Sequence, residues 1–151
     1  MNIRPFVRED LEKVIQIIHD TIKTCYPEIF SREIIDFFLE YHSEEEILRR
    51  HKSGIVLVAE ENSEIIATGF LDGPEMGGIY VHPERQKQGI GTALVEKLLE
   101  MAHAKRLKRI WLDSTPIARP LYSKMGFKIV CPATQIVNGV PLNYYKMEFQ
   151  L

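Results

Sequence analysis

Gly89 and Gly91 close a polar loop, His82-Pro83-Glu84-Arg85-Gln86-Lys87-Gln88-Gly89-Ile90-Gly91-Thr92. Before it, the apolar run Ile79-Tyr80-Val81 reads as the end of a strand. After it, Ile90, Leu94, Leu98 and Met101/Ala102 recur at helical spacing, with Glu96, Lys97 and Glu100 between them. Glycine opens backbone conformations closed to other residues and lets a ligand approach the bare main chain. A helix N-terminus adds unpaired N–H groups and roughly half a positive charge. Strand, glycine loop and helix in this order make an anion cradle, and phosphate is the usual anion. A β-carbon at either glycine is expected to obstruct the ligand.

The spacing narrows the ligand. A dinucleotide fingerprint needs Gly or Ala three residues after the second glycine, and position 94 is Leu. It also needs the glycines directly after the strand, where this chain inserts a charged segment. Asp113 does stand about twenty residues on, as a ribose-binding acid would. The mononucleotide loop needs Gly-Lys-Ser/Thr, which is absent.

Composition sets broader bounds. At 151 residues the chain is expected to form one domain, residues 1–151, burying roughly two-thirds of its unfolded surface. It is 45% hydrophobic and 26% charged, an ordinary globular balance that argues against disorder. A net charge of −2 gives no general drive toward nucleic acid or an anionic membrane. No apolar run approaches membrane-spanning length, and Met1-Asn2-Ile3-Arg4 lacks the apolar core of a signal peptide. Cys25 and Cys131 are isolated, and the five histidines show no ligand spacing, so neither a disulfide framework nor a metal site is expected. A cytoplasmic protein is the expectation.

The elements that must hold the loop follow from periodicity. Ile3 to Val7 reads as a first strand. A helix opens at Glu9-Asp10, buries Leu11, Val14, Ile15, Ile18 and Ile22, and stops at Pro27. Ser31 caps a second helix carrying Ile34, Ile35, Phe38 and Leu39. Ser43-Glu44-Glu45-Glu46 fits a capping box for a short third helix that Gly54 ends. Ile55–Glu60 and Ile65–Leu71 read as a hairpin of strands buried on both faces. Met76–Val81 is the next strand, and Gly77-Gly78 within it invites a bulge or a close ligand approach. Arg109–Asp113 reads as another buried strand. Thr115-Pro116 starts a helix that Gly126 ends, with Pro120 in an early turn. Phe127–Val130 and Tyr144–Phe149 are the last strands, with Asn138-Gly139 a hairpin turn and Pro141 near an edge.

The order β-ααα-βββ-α-β-α-ββ implies an α/β protein, a mixed twisted sheet covered by helices. Two motifs narrow this further. Gln86-x-x-Gly89-x-Gly91 resembles the acetyl-CoA pyrophosphate motif of the GNAT N-acetyltransferases, Arg/Gln-x-x-Gly-x-Gly/Ala. Thr115-x-x-Ala118-x-x-x-Tyr122-x-x-x-Gly126-Phe127 is similar to that family's Asn-x-x-Ala-x-x-x-Tyr-x-x-x-Gly-Phe, with Thr115 in place of Asn. The resemblance covers nearly the whole chain. It implies the GNAT acyl-CoA N-acyltransferase fold, a mixed sheet of about seven strands sandwiched by helices.

The resemblance also implies roles. Main-chain groups of Ile79, Tyr80 and Val81 hold the pantetheine arm and meet the thioester oxygen. Gln86, Lys87, Gln88, Gly89, Ile90, Gly91 and Thr92 hold the pyrophosphate. Thr115 stands where an Asn side chain meets the pantetheine, Tyr122 is the candidate acid for the leaving thiolate, and Glu75 is a candidate base. Each residue also has a plainer reading: Tyr122 as core packing, Glu75 as an exposed turn acid, Thr115 as a helix cap, Tyr80 as sheet filling. The implied activity is acetyl transfer from acetyl-CoA to a primary amine by direct attack in a ternary complex, with no metal. The alternative is a non-catalytic acyl-CoA-binding module of the same fold. The acceptor, a small molecule or a peptide, would meet residues such as Tyr26, Glu28, Phe30, Phe37, Phe38, Tyr41, Tyr144 and Tyr145. A homodimer is common in the family.

Overall fold

The computed structural model describes residues 1–151. Strand β1 (Asn2–Pro5) is followed by three helices, α1 (Leu11–Cys25), α2 (Arg32–Tyr41) and α3 (Glu44–Ser53). The antiparallel strands β2 (Ile55–Glu61), β3 (Glu64–Asp72) and β4 (Glu75–Val81) come next, then α4 (Ile90–Ala104), β5 (Arg109–Ser114), α5 (Arg119–Lys124), β6 (Lys128–Val137) and β7 (Val140–Gln150). The sheet order is β1-β2-β3-β4-β5-β7-β6, and β4–β5 is its one parallel pair. No helix is long and apolar enough to cross a membrane.

Both faces of the central strands are covered, as their continuous apolar runs imply. Val56 and Val58 face α1 and α3, while Leu57 and Ala59 face α4 in a second core with Leu94 and Leu98. On α1 the buried set is Val14, Ile17, Ile18, Thr21 and Ile22; Ile17 replaces the expected Leu11 and Ile15, which are only partly buried. Ser43 caps α3 by accepting from the Glu46 N–H at 3.3 Å. The β2–β3 turn takes only Asn62 and Ser63, both at positive φ, and Asn138 and Gly139 turn β6 into β7 in the same way.

Several expectations change. β1 ends at Pro5, because Val7 already accepts the first turn that leads into α1. β5 alternates rather than being wholly buried: Ile110, Leu112 and Ser114 point inward, while Arg109 and Asp113 are exposed. α5 starts at Arg119 rather than at Thr115-Pro116, and Pro120 sits in its first turn, where its missing N–H has no intrahelical partner to lose. β6 and β7 run ten and eleven residues, far beyond the apolar stretches expected. β6 is an outer strand exposed along nearly its whole length, so no apolar pattern marks it.

The Gly77-Gly78 bulge is present. The β3–β4 register shifts between Thr68 and Phe70, and Gly78 lies at φ +61. A β-carbon on Gly77 or Gly78 would stand 2.9 or 2.8 Å from the Phe70 ring, so glycine here admits Phe70 beneath the strand.

Candidate active site

β4 and β5 share one register pair, Glu75 with Trp111, closed by the Trp111 N–H donating to the Pro74 carbonyl at 3.0 Å. Beyond that point the strands part. The gap leaves one edge of β4, from Gly77 to Val81, without a neighbouring strand. Two cavities open along it, and Tyr26, Ile79, Tyr80, Thr115 and Ala118 wall both.

The first cavity, about 340 Å³, runs over the start of α4 and is lined by Val81, Gln86, Lys87, Gly89, Ile90, Gly91 and Thr92 together with that shared wall. Gly89 is the N-cap of α4 at φ +80. None of the seven main-chain N–H groups from Gln86 to Thr92 is hydrogen-bonded within the protein; the first such bond of the helix runs from the Ala93 N–H to the Gly89 carbonyl at 3.0 Å. Helix geometry orphans only the first few; the loop before α4 extends the row. Seven free donors with the positive end of a helix dipole, and Arg85 and Lys87 on the same wall, fit a diphosphate.

The two glycines differ in what they do. A β-carbon on Gly89 would meet nothing within 4 Å, so it would stand in the open cleft, and the left-handed φ disfavours any side chain there. A β-carbon on Gly91 would stand 3.4 Å from Leu121 and 3.7 Å from Val81, both cleft-lining residues, in ordinary contact. Both glycines line the cleft; the protein itself strains a side chain at Gly89 and has room for a β-carbon at Gly91. Side chains in the loop are also engaged. Gln86 donates to the Val81 carbonyl at 3.1 Å, and Gln88 accepts from Arg85 at 3.2 Å and lies outside the cavity lining. Only their main-chain groups remain free.

The second cavity, about 150 Å³, lies on the α2 and β7 side. Tyr122 lines it, is 4% exposed, and makes no hydrogen bond to the protein. Every buried polar side-chain atom has a partner, so the Tyr122 hydroxyl opens onto the cavity. Burial, and secondarily Tyr26, holds this phenol well above the ordinary tyrosine value. The Tyr26 and Tyr80 hydroxyls hydrogen-bond each other at 3.1 Å in the shared wall. Thr115 accepts from the Ala118 N–H at 3.2 Å. It therefore closes the turn that precedes α5, rather than capping the helix itself, and keeps its own proton free to donate.

Glu75 lines the same cavity and is half-buried, not the exposed turn acid of the plainer reading. Burial, then the Asp113 carboxylate, raises its carboxyl above the ordinary glutamate value. Asp113 itself lines this cavity and not the cradle, so the ribose-acid alternative has no geometry behind it. Of the aromatic residues expected around an acceptor, Tyr26, Phe37, Phe38, Tyr41 and Tyr144 line the cavity. Phe30 packs against Tyr26 and Phe38, and Tyr145 against Arg119, away from it. Glu28 is also absent from the lining.

His42 lines the cavity too, and sequence reasoning missed it. It follows α2 directly, 3% exposed, with its ring 5.0 Å from that of Tyr80 and edge-on to it. No motif contains it. Its only signal in sequence is a histidine between an aromatic helix and a capping serine, which is the signal of a C-cap.

Comparison with known proteins bears on the family and the fold. Residues 15–127 match the family model described as the acetyltransferase (GNAT) family. A GCN5-related N-acetyltransferase from Rhodopseudomonas palustris superposes with a TM-score of 0.90 at 23% identity, over 99% of this chain and 95% of that one. The PaiA N-acetyltransferase of Thermoplasma acidophilum, solved in complex with coenzyme A, gives 0.82 at 24% identity, over 99% and 98%. YncA of Salmonella typhimurium, a putative acetyltransferase solved with acetyl-CoA, gives 0.71 at 21% identity, over 100% and 94%.

Proposed function

Since the chain belongs to the acetyltransferase (GNAT) family, we propose that it moves the acetyl group of acetyl-CoA to a primary amine, by direct attack of the amine within a ternary complex. One observation carries this reading. The loop of free N–H groups from Gln86 to Thr92, with all but Gln88 in the lining, borders a cleft that meets, through a shared wall, a cavity holding a carboxyl and a phenol.

Acetyl-CoA, when bound, supplies a thioester carbonyl open to a neutral amine. The residues that would hold it are the cradle from Gln86 to Thr92, Thr115, and the open edge of β4 at Ile79, Tyr80 and Val81. An N–H on that edge, fixed by the β3–β4 ladder, is a preorganised donor for charge growing on an oxygen. Glu75 takes a proton from the acceptor ammonium, directly or through water. A base with a raised pKa is a better match to proton transfer near neutrality than an ordinary glutamate. Tyr122 presents its hydroxyl proton to the sulfur as it leaves.

The test is release of free CoA thiol from acetyl-CoA across panels of amines, peptides and polyamines. At least one amine is expected to raise release above the acceptor-free rate. Tight binding of acetyl-CoA with no transfer to any amine would favour the non-catalytic acyl-CoA-binding reading instead.

The base has its own prediction. A carboxyl with a raised pKa is deprotonated, and so competent as a base, only above that pKa; the rate should fall as pH drops through it. Glu75→Gln should remove that limb. Its rate loss should be greatest near neutral pH, where the carboxyl is ionised and acceptor amines are still protonated. It should shrink at acid pH, where the carboxyl of the unaltered chain is itself protonated, and at high pH, where amines are already neutral. A pH–rate profile that the substitution leaves unchanged would assign the proton to solvent.

A further inference from the structure

Arg50 is 3% exposed and has no carboxylate within ion-pair distance, an uncommon state for a guanidinium. Its Nη2 donates to the Tyr41 carbonyl at 3.0 Å, and its Nη1 lies 3.0 Å from Nδ1 of His42. The guanidinium carbon stands 4.4 Å from the Phe70 ring centre and 5.0 Å from that of Tyr41. A guanidinium can only donate. Nδ1 of His42 must therefore offer its lone pair, and the neutral imidazole carries its proton on Nε2. That Nε2 has no protein partner. Since no buried polar side-chain atom lacks one, it opens onto the cavity that His42 lines.

The surroundings hold this state. The ring faces Arg50 from α3, the edge-on rings of Tyr80 from β4 and of Tyr41, and the glycine bulge, where a β-carbon on Gly78 would come 3.9 Å from Cε1. From α1, the His19 ring hydrogen-bonds the His42 carbonyl through Nε2 at 3.0 Å. No carboxylate hydrogen-bonds the imidazole. Protonating Nδ1 would set two N–H groups against each other beside a buried cation. Burial first, then the charge of Arg50, accordingly drives His42 well below the ordinary histidine value.

We propose that Arg50, as a positioning residue, fixes His42 as a neutral Nε2–H donor in the acceptor cavity, where it selects primary amines bearing a hydrogen-bond-accepting oxygen near the reacting nitrogen. The identity of the ligand rests on the acetyltransferase reading; the tautomer does not. A fixed donor in the cavity wall favours an oxygen and penalises a methyl group, which leaves it unpaired. The same tautomer cannot accept a proton on Nε2, so His42 is not the base, and that task stays with Glu75.

Two measurements test this. Long-range proton–nitrogen correlation of the histidine-labelled chain, from pH 5 to 8, should show Nδ1 of His42 bare and Nε2 protonated throughout. Arg50→Met should free Nδ1 to take a proton and raise the pH at which the ring titrates, with burial still holding it below the ordinary histidine value. A proton on Nδ1 in the unaltered chain at pH 7 overturns the lock, whether or not the variant folds. Ethanolamine and propylamine, equal in length and differing in one oxygen, then probe selection per neutral amine. Ethanolamine should be favoured by about tenfold in kcat/KM, and His42→Phe should abolish the preference. An absent preference, one that survives His42→Phe, or transfer to other amines but to neither probe overturns the selection and leaves the acetyltransferase reading standing. Transfer to no amine at all overturns both, while the nitrogen signature still decides the tautomer.

Discussion

Replacing Gly89 with valine is expected to weaken acetyl-CoA binding by about a hundredfold while leaving the fold intact. The residue caps α4 at φ +80, a conformation that costs an L side chain about 1–2 kcal/mol and a β-branched one more. Relaxing that strain turns the loop and scatters the N–H groups that converge on the cleft. Loss of two hydrogen bonds to a charged phosphate, at about 1.5 kcal/mol each, gives the hundredfold figure. The new side chain also stands in open cleft, where the ligand's phosphates would lie, and touches no core residue. Gly91→Ala is the control. Its β-carbon makes ordinary contacts with Leu121, Val81 and Ile79, so affinity should be essentially unchanged. Calorimetry on both variants checks the pair, and an unaltered affinity in Gly89→Val would remove the cradle assignment.

Tyr122→Phe should lower kcat by at least about tenfold, within the range general acid help supplies. The substitution is clean. The hydroxyl makes no protein hydrogen bond, so its removal strands no partner, and the ring keeps its edge-on packing against Phe127 at 5.5 Å. Thermal stability and acetyl-CoA affinity should stay level with the unaltered chain. The raised phenol pKa shapes the mechanism: the group stays protonated across the working range, and no loss of rate from its ionisation is expected below pH ~10. A phenol this weak as an acid contributes mainly by hydrogen-bonding the sulfur as charge reaches it, with full transfer following. Full activity in the variant at saturating substrates, with chemistry shown to be the slow step, would reduce Tyr122 to packing.

The order of elements was legible because the buried strands and amphipathic helices carry their own period. Val56 to Ala59 and Val14 to Ile22 could hardly be read otherwise. The long β6 was not legible, since an exposed outer strand such as Lys128–Val137 has no apolar face to betray it. The cradle was legible because it is local: seven consecutive residues make it. The second cavity was only half legible. Its aromatic residues stood out, but Asp113 reaches it from β5 and Glu75 from β4, and the half-burial that raises Glu75 exists only once the strands meet. The Arg50–His42 pair was invisible for a related reason. A polar residue in a sequence reads as surface until the fold closes over it, and the hydrogen bond that gives the pair its meaning joins the end of one helix to the last turn of the next.

The two cavities share one wall of five residues. Whatever settles Tyr26, Ile79, Tyr80, Thr115 and Ala118 from the α4 side also sets the surface that a second molecule meets from the α2 side. Thermodynamic linkage then fixes a symmetry: the factor by which the first ligand alters affinity for the second equals the factor by which the second alters affinity for the first. The Tyr26–Tyr80 hydroxyl pair stands in this partition, so any cooperativity between the two faces would run through it.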